Sequence, residues 1–200
     1  MVATKNKPRT TYPRLQQLYK TEVAAKTMKE FGLENPHQLP RLMKIVVNAG
    51  IGKFLENQKL KPEIRDSVIS TFTTITGQKP IMVLAKKSVA NFKVREGAPS
   101  SFVVTLRRDR MWHFLDRLIN LATPRIKDFR GVKERAFDKA GNYSLGLTEQ
   151  AVWPEINMAN VTFSHGMHIT LCFENSNPKM SRFVLTELGM PFVKPEEKKK

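Results

Sequence analysis

The sequence predicts an α+β fold, a mainly antiparallel sheet with helices packed on one face and the other face free for a ligand. Two observations carry this. Segments 102–107 and 168–173 alternate apolar and polar residues, the pattern of strands covered on one side only. Helical segments with a single apolar stripe fall between the strands, giving the order helix, strand, helix, two strands, helix, strands, helix.

A helix is predicted over 14–31. Leu15, Leu18, Val23, Met28 and Phe31 form its stripe, and Gly32 stops it. A strand follows at 42–48, rich in Ile45, Val46 and Val47 and ending by Gly50. Pro62 opens a second helix, which carries Ile64, Val68, Phe72 and Ile75 and ends at Gly77. A short apolar strand is expected at 81–85. The connection 86–99 is basic, and Gly97 and Pro99 argue against regular structure at its end. In 102–107, Phe102, Val104 and Leu106 point one way and Val103, Thr105 and Arg107 the other. Asp109 is placed to cap a helix containing Trp112, Leu115, Ile119 and Ala122, with Pro124 just past its end. Segment 128–156 reads as loop-rich. Ile169, Leu171 and Phe173 share one face of the last strand. Asn177 and Pro178 are an N-cap and first-turn pair for a final helix that turns Phe183, Val184 and Leu188 to the core and ends at Gly189.

The chain has 200 residues, 40% of them apolar, enough to bury a core. Its 34 lysines and arginines against 18 acids give a net charge of +16, which calls for a partner of opposite sign. No apolar run approaches the roughly 20 residues of a membrane-spanning helix. The stretch 1–14 holds Lys5, Lys7, Arg9 and Arg14 with no apolar run behind it, unlike a secretory signal, and Pro8 and Pro13 interrupt any transit-peptide helix. The chain therefore divides into a flexible basic arm (1–13), a single α+β domain (14–193) and a charged tail (194–200), and the partner its charge calls for is a nucleic acid, an anionic surface or an acidic protein. Cys172, the only cysteine, leaves no intrachain disulfide, which fits a reducing compartment.

Lys86, Lys87, Lys93 and Arg95 lie within ten residues, among Ser88, Asn91 and Phe92. That mixture suits a loop that touches phosphates and stacks on a base or sugar; it equally suits a solvated charge run. Arg107, Arg108, Arg110, Arg117, Arg125, Lys127 and Arg130 form a second basic group, offset by Asp109, Asp116 and Asp128. Some of these cations pair with acids and others are open to phosphate, and the sequence does not sort them. Asn48, Gln78 and Thr105 sit at strand ends or on an outward strand face. There they either read base edges and 2′-hydroxyls or serve ordinary turn and strand hydrogen bonding. The run 48–54 (NAGIGKF) lacks the spacing of a phosphate loop, so Gly50 and Gly52 are read as turn residues. His165 and His168 lack further ligands for a metal and are expected as a surface or RNA-facing pair. No catalytic carboxylate pair or nucleophile–base signature is present, so no enzyme activity and no cofactor are expected. An RNA-modifying enzyme and an adaptor for acidic proteins are the rival classes.

Nine stretches then become specific: PRLMKIVVNAGIG (40–52), TGQKP (76–80), KKSVANFKVREG (86–97), VTLR (104–107), RMWHFLDRL (110–118), PRIKDFRGV (124–132), FDKAGNYSLGLTEQ (137–150), WPEI (153–156) and GMPF (189–192). In this order, over roughly residues 14–192, the chain closely resembles the bacterial form of the large-subunit ribosomal protein that binds 5S ribosomal RNA. The resemblance implies a structural role at the central protuberance of a cytoplasmic, rather than organellar, ribosome. It implies that the open sheet face receives 5S RNA, with the family's RNA-contacting Asn, Gln and Thr at Asn48, Gln78 and Thr105. Lys79 and Arg107 complete that expected set. The loop Lys86, Lys87, Ser88, Asn91, Phe92, Lys93 and Arg95 is implied to reach peptidyl-site tRNA. Large-subunit ribosomal RNA, other 5S RNA-binding ribosomal proteins and small-subunit protein thirteen, at a bridge to the small-subunit head, are the further implied partners.

The chain departs from the family pattern in two places. Relatives often carry Arg at Lys86 or Lys87 and Gly at Asn91. A common Arg-Gly-Met-Asp run appears here as His165, Gly166, Met167 and His168.

Overall fold

The computed structural model describes residues 12–56, 59–92, 94–157, 161 and 163–193; most of the expected basic arm, Lys93 and the tail 194–200 lie outside them. Strand β1 (Arg41–Gly50) is the centre of the fold. The other strands are β2 (Ile81–Leu84), β3 (Pro99–Leu106), β4 (Tyr143–Leu147) and β5 (Met167–Glu174). They form one sheet in the order β2-β3-β1-β5-β4, and every pairing is antiparallel. The α+β expectation is met.

Alternation decides which side is core. Ile45, Val47 and Ala49 of β1, Phe102, Val104 and Leu106 of β3, and Ile169, Leu171 and Phe173 of β5 are all buried on one face. Their register partners match in kind: Ile45 lies opposite Leu106 and Leu171, and Val47 opposite Val104 and Ile169. A bulge between Leu42 and Lys44 resets the alternation, so Leu42 and Ile45 both turn inward while Met43 is left 43% exposed.

Helices cover the inner face. α1 (Arg14–Leu18) and α2 (Ala24–Phe31) run on through a π turn at Tyr19–Val23 as one helical segment, stopped by Gly32 at φ 62°. α3 (Pro62–Thr76) starts with proline, whose missing N–H costs nothing in a first turn, and ends at Gly77 in the left-handed region. It buries Val68, Phe72 and Ile75. α4 (Arg108–Arg117) continues through a π turn at Leu118–Ala122 and buries Met111, Trp112, Phe114, Leu115 and Leu118. α5 (Pro178–Glu187) is capped as expected: the Asn177 side chain accepts the Met180 N–H at 2.9 Å. Val184 and Leu188 are buried, whereas Phe183 is only half-buried and packs edge-on against Phe31, 5.7 Å between ring centroids.

Four sequence expectations need correction. Asp109 is not the cap of α4: Arg107 is extended at the N-cap and makes no side-chain cap bond, and Arg108 turns the chain with φ 51°. Asp109 sits in the first turn, where its charge still favours the helix dipole. Pro99 is the first residue of β3, a position where a strand loses little by lacking an N–H. Pro124 lies within a 3-10 turn, Thr123–Arg125, that extends the α4 segment. The loop-rich stretch contains β4, a short strand with Gly146 inside it, which pairs with β5 along its whole length.

Ion pairs tie the helical layer together. Arg14 grips Asp116 of α4 with two nitrogens, at 2.6 and 3.2 Å, and this hydrogen-bonded pairing holds the Asp116 carboxyl below its ordinary range. Lys26 of α2 meets Glu187 of α5 at 2.6 Å. Arg117 donates to Glu155 at 2.5 Å and to the Ile75 carbonyl at 2.7 Å, linking α4 to the end of α3. Exposed pairs contribute little beside the core. Phe114→Ala is expected to lose about 3–5 kcal/mol of stability and Arg14→Ala no more than about 1 kcal/mol, compared by urea unfolding.

Candidate nucleic-acid interface

The face of the sheet away from the helices is read directly from the register. One row crosses all five strands: Ile81, Val103, Asn48, His168 and Gly146. A second holds Thr105, Val46, Thr170 and Ser144. Lys44 and Cys172 form a third on β1 and β5, and Val83, Ser101 and Gly50 a fourth at the other end. Most of these side chains are small, neutral and hydrogen-bonding or weakly apolar. Such a surface admits a ribose edge or a base edge without charge repulsion.

Asn48 and Thr105 therefore share a face on neighbouring strands, one diagonal step apart, a separation of roughly 7–8 Å in any antiparallel pair. The Asn48 Oδ1 is enclosed and accepts no hydrogen bond from any described residue. An amide oxygen in that state needs a donor, because leaving it unpaired costs about 1–3 kcal/mol. Gln78 and Lys79 lie in the turn that leads into β2. Because β2 and β3 are antiparallel, this turn is at the sheet end where β3 delivers Thr105 and Arg107. The Gln78 N–H donates to the Thr76 hydroxyl at 3.2 Å, which itself donates to the Phe72 carbonyl at 2.7 Å. Lys79 and Arg107 are both exposed.

The basic loop springs from the opposite end. Its base is closed by Ala85 and Ala98, with the Ala85 N–H donating to the Ala98 carbonyl at 2.8 Å and the Gly97 N–H to the Ala85 carbonyl at 3.0 Å. Val89 and Val94 bridge across it, and the Ser88 hydroxyl accepts the Glu96 N–H at 2.9 Å. Lys86, Lys87, Ser88, Asn91 and Arg95 are exposed, and Phe92 is 77% exposed at a 3-10 turn, Ala90–Phe92. An aromatic ring that the fold leaves in water, among cations, is suited to stacking. Lys93 lies outside the described residues.

Some expected participants are occupied elsewhere. Arg117 is committed to Glu155 and Ile75, and Asp116 to Arg14. The histidine pair divides. His168 is exposed in the row beside Asn48, its ring 3.5 Å from where a side chain on Gly146 would begin. His165 is only 4% exposed, stacked against Phe72 and tilted against Phe163, so it is not a surface residue. Sequence reasoning did not single out His168, Thr170, Lys44 or Ser144 as neighbours of Asn48. Alternation in 168–173 implied that His168 and Thr170 face outward. That β5 lies beside β1 was not deducible from it.

Burial pushes the His165 imidazole below its ordinary value of 6.5. The unfolded chain then takes up this proton first as pH falls. Its contribution to stability is complete above about pH 6.5 and declines as pH drops toward the lowered folded value. Urea midpoints are expected to fall between pH 7.5 and 5.5, and to fall less in His165→Phe.

Two family descriptions match the chain, "Ribosomal protein L5" over residues 35–95 and the C-terminal part of the same ribosomal family over residues 99–192. Curated relatives include the protein named large ribosomal subunit protein uL5 in Leifsonia xyli subsp. xyli, 51% identical over 180 residues and covering 90% of each chain. The protein of that name in Synechococcus sp. is 49% identical over 90% of this chain and 98% of its own. That in Streptomyces coelicolor is 48% identical over 92% of this chain and 97% of its own.

Proposed function

This chain belongs to the ribosomal protein L5 family, and from that premise we propose that its open sheet face binds 5S ribosomal RNA in the central protuberance. As a family member it is a structural, non-enzymatic, RNA-binding component of the large ribosomal subunit. The observation that supports the finer reading is the row Ile81, Val103, Asn48, His168 and Gly146, an outward-facing run of small and uncharged or weakly polar groups with half-buried Asn48 at its centre. In this reading Asn48, Thr105 and Gln78 set the register on the RNA, and Lys79 and Arg107 hold phosphates at one end of the face. Positioning and specifying are separate tasks in RNA recognition, done by cations and by short polar groups respectively.

The loop carrying Lys86, Lys87, Ser88, Asn91, Phe92, Lys93 and Arg95 contacts peptidyl-site tRNA, and its distance from the Thr105 end of the sheet separates the two duties. Large-subunit ribosomal RNA and the other 5S RNA-binding proteins are neighbours in the same protuberance, and small-subunit protein thirteen is the partner at the bridge to the small-subunit head. The chain acts as one α+β domain in the cytoplasmic ribosome, with the basic arm and charged tail adding unspecific RNA affinity. No helix among the described residues is long and apolar enough to cross a membrane.

The deciding experiment is binding to 5S RNA and to a length-matched control RNA across a salt series. Both affinities fall as salt rises, because phosphate contacts release cations. The 5S RNA keeps its advantage at high salt if the sheet face reads it, and equal affinities throughout would sink the assignment. Asn48→Ala combined with Thr105→Val is expected to weaken 5S binding by about tenfold or more with little change in salt slope, since short polar contacts carry about 1–3 kcal/mol and release no ions. Replacing 87–96 by a short glycine linker is expected to spare most 5S affinity and to impair translation. Loss of 5S binding in that variant would overturn the division of duties.

A further inference from the structure

Gly50 and Gly52 have no internal reason to be glycine. Neither adopts a positive φ, and a Cβ built on either would meet nothing within 4 Å. Apart from Gly146, where a Cβ would make only ordinary contact with the His168 ring, the other glycines of the chain differ. Gly77 and Gly97 take left-handed angles, and a Cβ on Gly166 would strike the Leu147 carbonyl at 2.7 Å. The missing side chains at 50 and 52 are therefore not required by the fold. A bare backbone that the fold does not need is suited to close approach by something outside the chain.

Both glycines line one open groove of about 620 Å3, at the sheet end where β1 finishes and β5 begins. That size is within the roughly 300–1,000 Å3 of small-ligand clefts. Lys53, Phe54, Phe92, His165 and His168 also line it. Phe54 is fixed by edge contact with Phe163 at 4.2 Å, while Phe92 stands at the rim from the basic loop. His165 forms the buried floor of this end, its Nδ1 3.2 Å from the Gly166 carbonyl. The groove thus combines a stackable ring, one lysine and two stretches of uncovered backbone.

We propose that this groove seats one splayed-out nucleotide of the RNA engaged by the basic loop, its base against Phe92 and its backbone passing over Gly50 and Gly52 beside Lys53. The proposal rests on the reading of the chain as an RNA-binding protein and extends it to a nucleotide site separate from the Asn48 and Thr105 contacts. The ring suits a base, and Lys53 suits the phosphate that accompanies it.

The test titrates the full chain with three RNA hexanucleotides, A6, C6 and U6, by fluorescence anisotropy, and measures wild-type affinity for 5S RNA in parallel. The Gly50→Ala, Gly52→Ala double variant should unfold at the same temperature as wild type or higher, because the added methyl groups meet no atom and reduce unfolded-state freedom. It should nonetheless bind the best hexanucleotide at least fivefold more weakly. Phe92→Ala should weaken it about fivefold or more, the range for loss of one base stack. If both variants bind as wild type does, or if no hexanucleotide binds, the groove is not a nucleotide site. If the hexanucleotide results hold while 5S RNA shows no advantage over the control RNA, the groove stands and the assignment of the sheet face falls.

Discussion

The two-residue period of β1 is the constraint on which the rest depends. Ile45, Val47 and Ala49 must leave water together, and they do so under α3 and α4 with matching residues of β3 and β5. The same alternation forces Lys44, Val46 and Asn48 to the other side. A slip of one residue in either pairing would exchange the two sets, putting Asn48 into the core and Val47 into solvent. The core and the candidate interface are thus one pattern seen from its two faces. The bulge at Leu42 and Lys44 shows how closely this is kept, since the extra residue is Met43, expelled into solvent.

Apart from Lys44 of β1, the charge of the chain is arranged around that face rather than upon it. The rows through Asn48 and Thr105 contain no lysine, arginine or carboxylate. The cations stand at the sheet ends, with Lys79 and Arg107 at one and Lys53, Lys86 and Lys87 at the other. Long-range attraction and short-range readout are therefore supplied by different residues. Cations placed centrally would bind any polyanion and would also hold water where a base edge has to come close. The exposed apolar edge strand β2, with Ile81 72% accessible, extends the face beside Val103 without adding charge.

The helical layer uses its ionic groups differently. Arg14 with Asp116, Lys26 with Glu187 and Arg182 with Glu134 each join residues distant in sequence and leave the opposite face of the molecule untouched. Arg117 illustrates the distinction. By composition it belongs to the basic cluster 107–130, yet its guanidinium is taken by Glu155 and the Ile75 carbonyl.

Local chemistry made most of the elements legible. Pro62, Gly77, Asn177 and Gly189 punctuate helices through their own backbone geometry, and the alternation in 102–107 and 168–173 assigns inner and outer residues without reference to any partner. The motifs from 40 to 192 likewise identified the family, because each depends only on the order of residues. What failed was whatever depends on a distant neighbour. β4 was missed because a five-residue strand with Gly146 inside it is made a strand by pairing with β5. His165 was taken for a surface residue because its burial comes from packing against Phe72 and Phe163, the first distant in sequence and the second invisible in local pattern. The sequence by itself determined the elements, their inward faces and the family. Only tertiary structure decided that His168 stands beside Asn48, that Arg117 is occupied, and that Gly50, Gly52 and Phe92 line one groove. Strand order and loop placement are set by the summed burial of the whole core, and no short stretch of residues carries that sum.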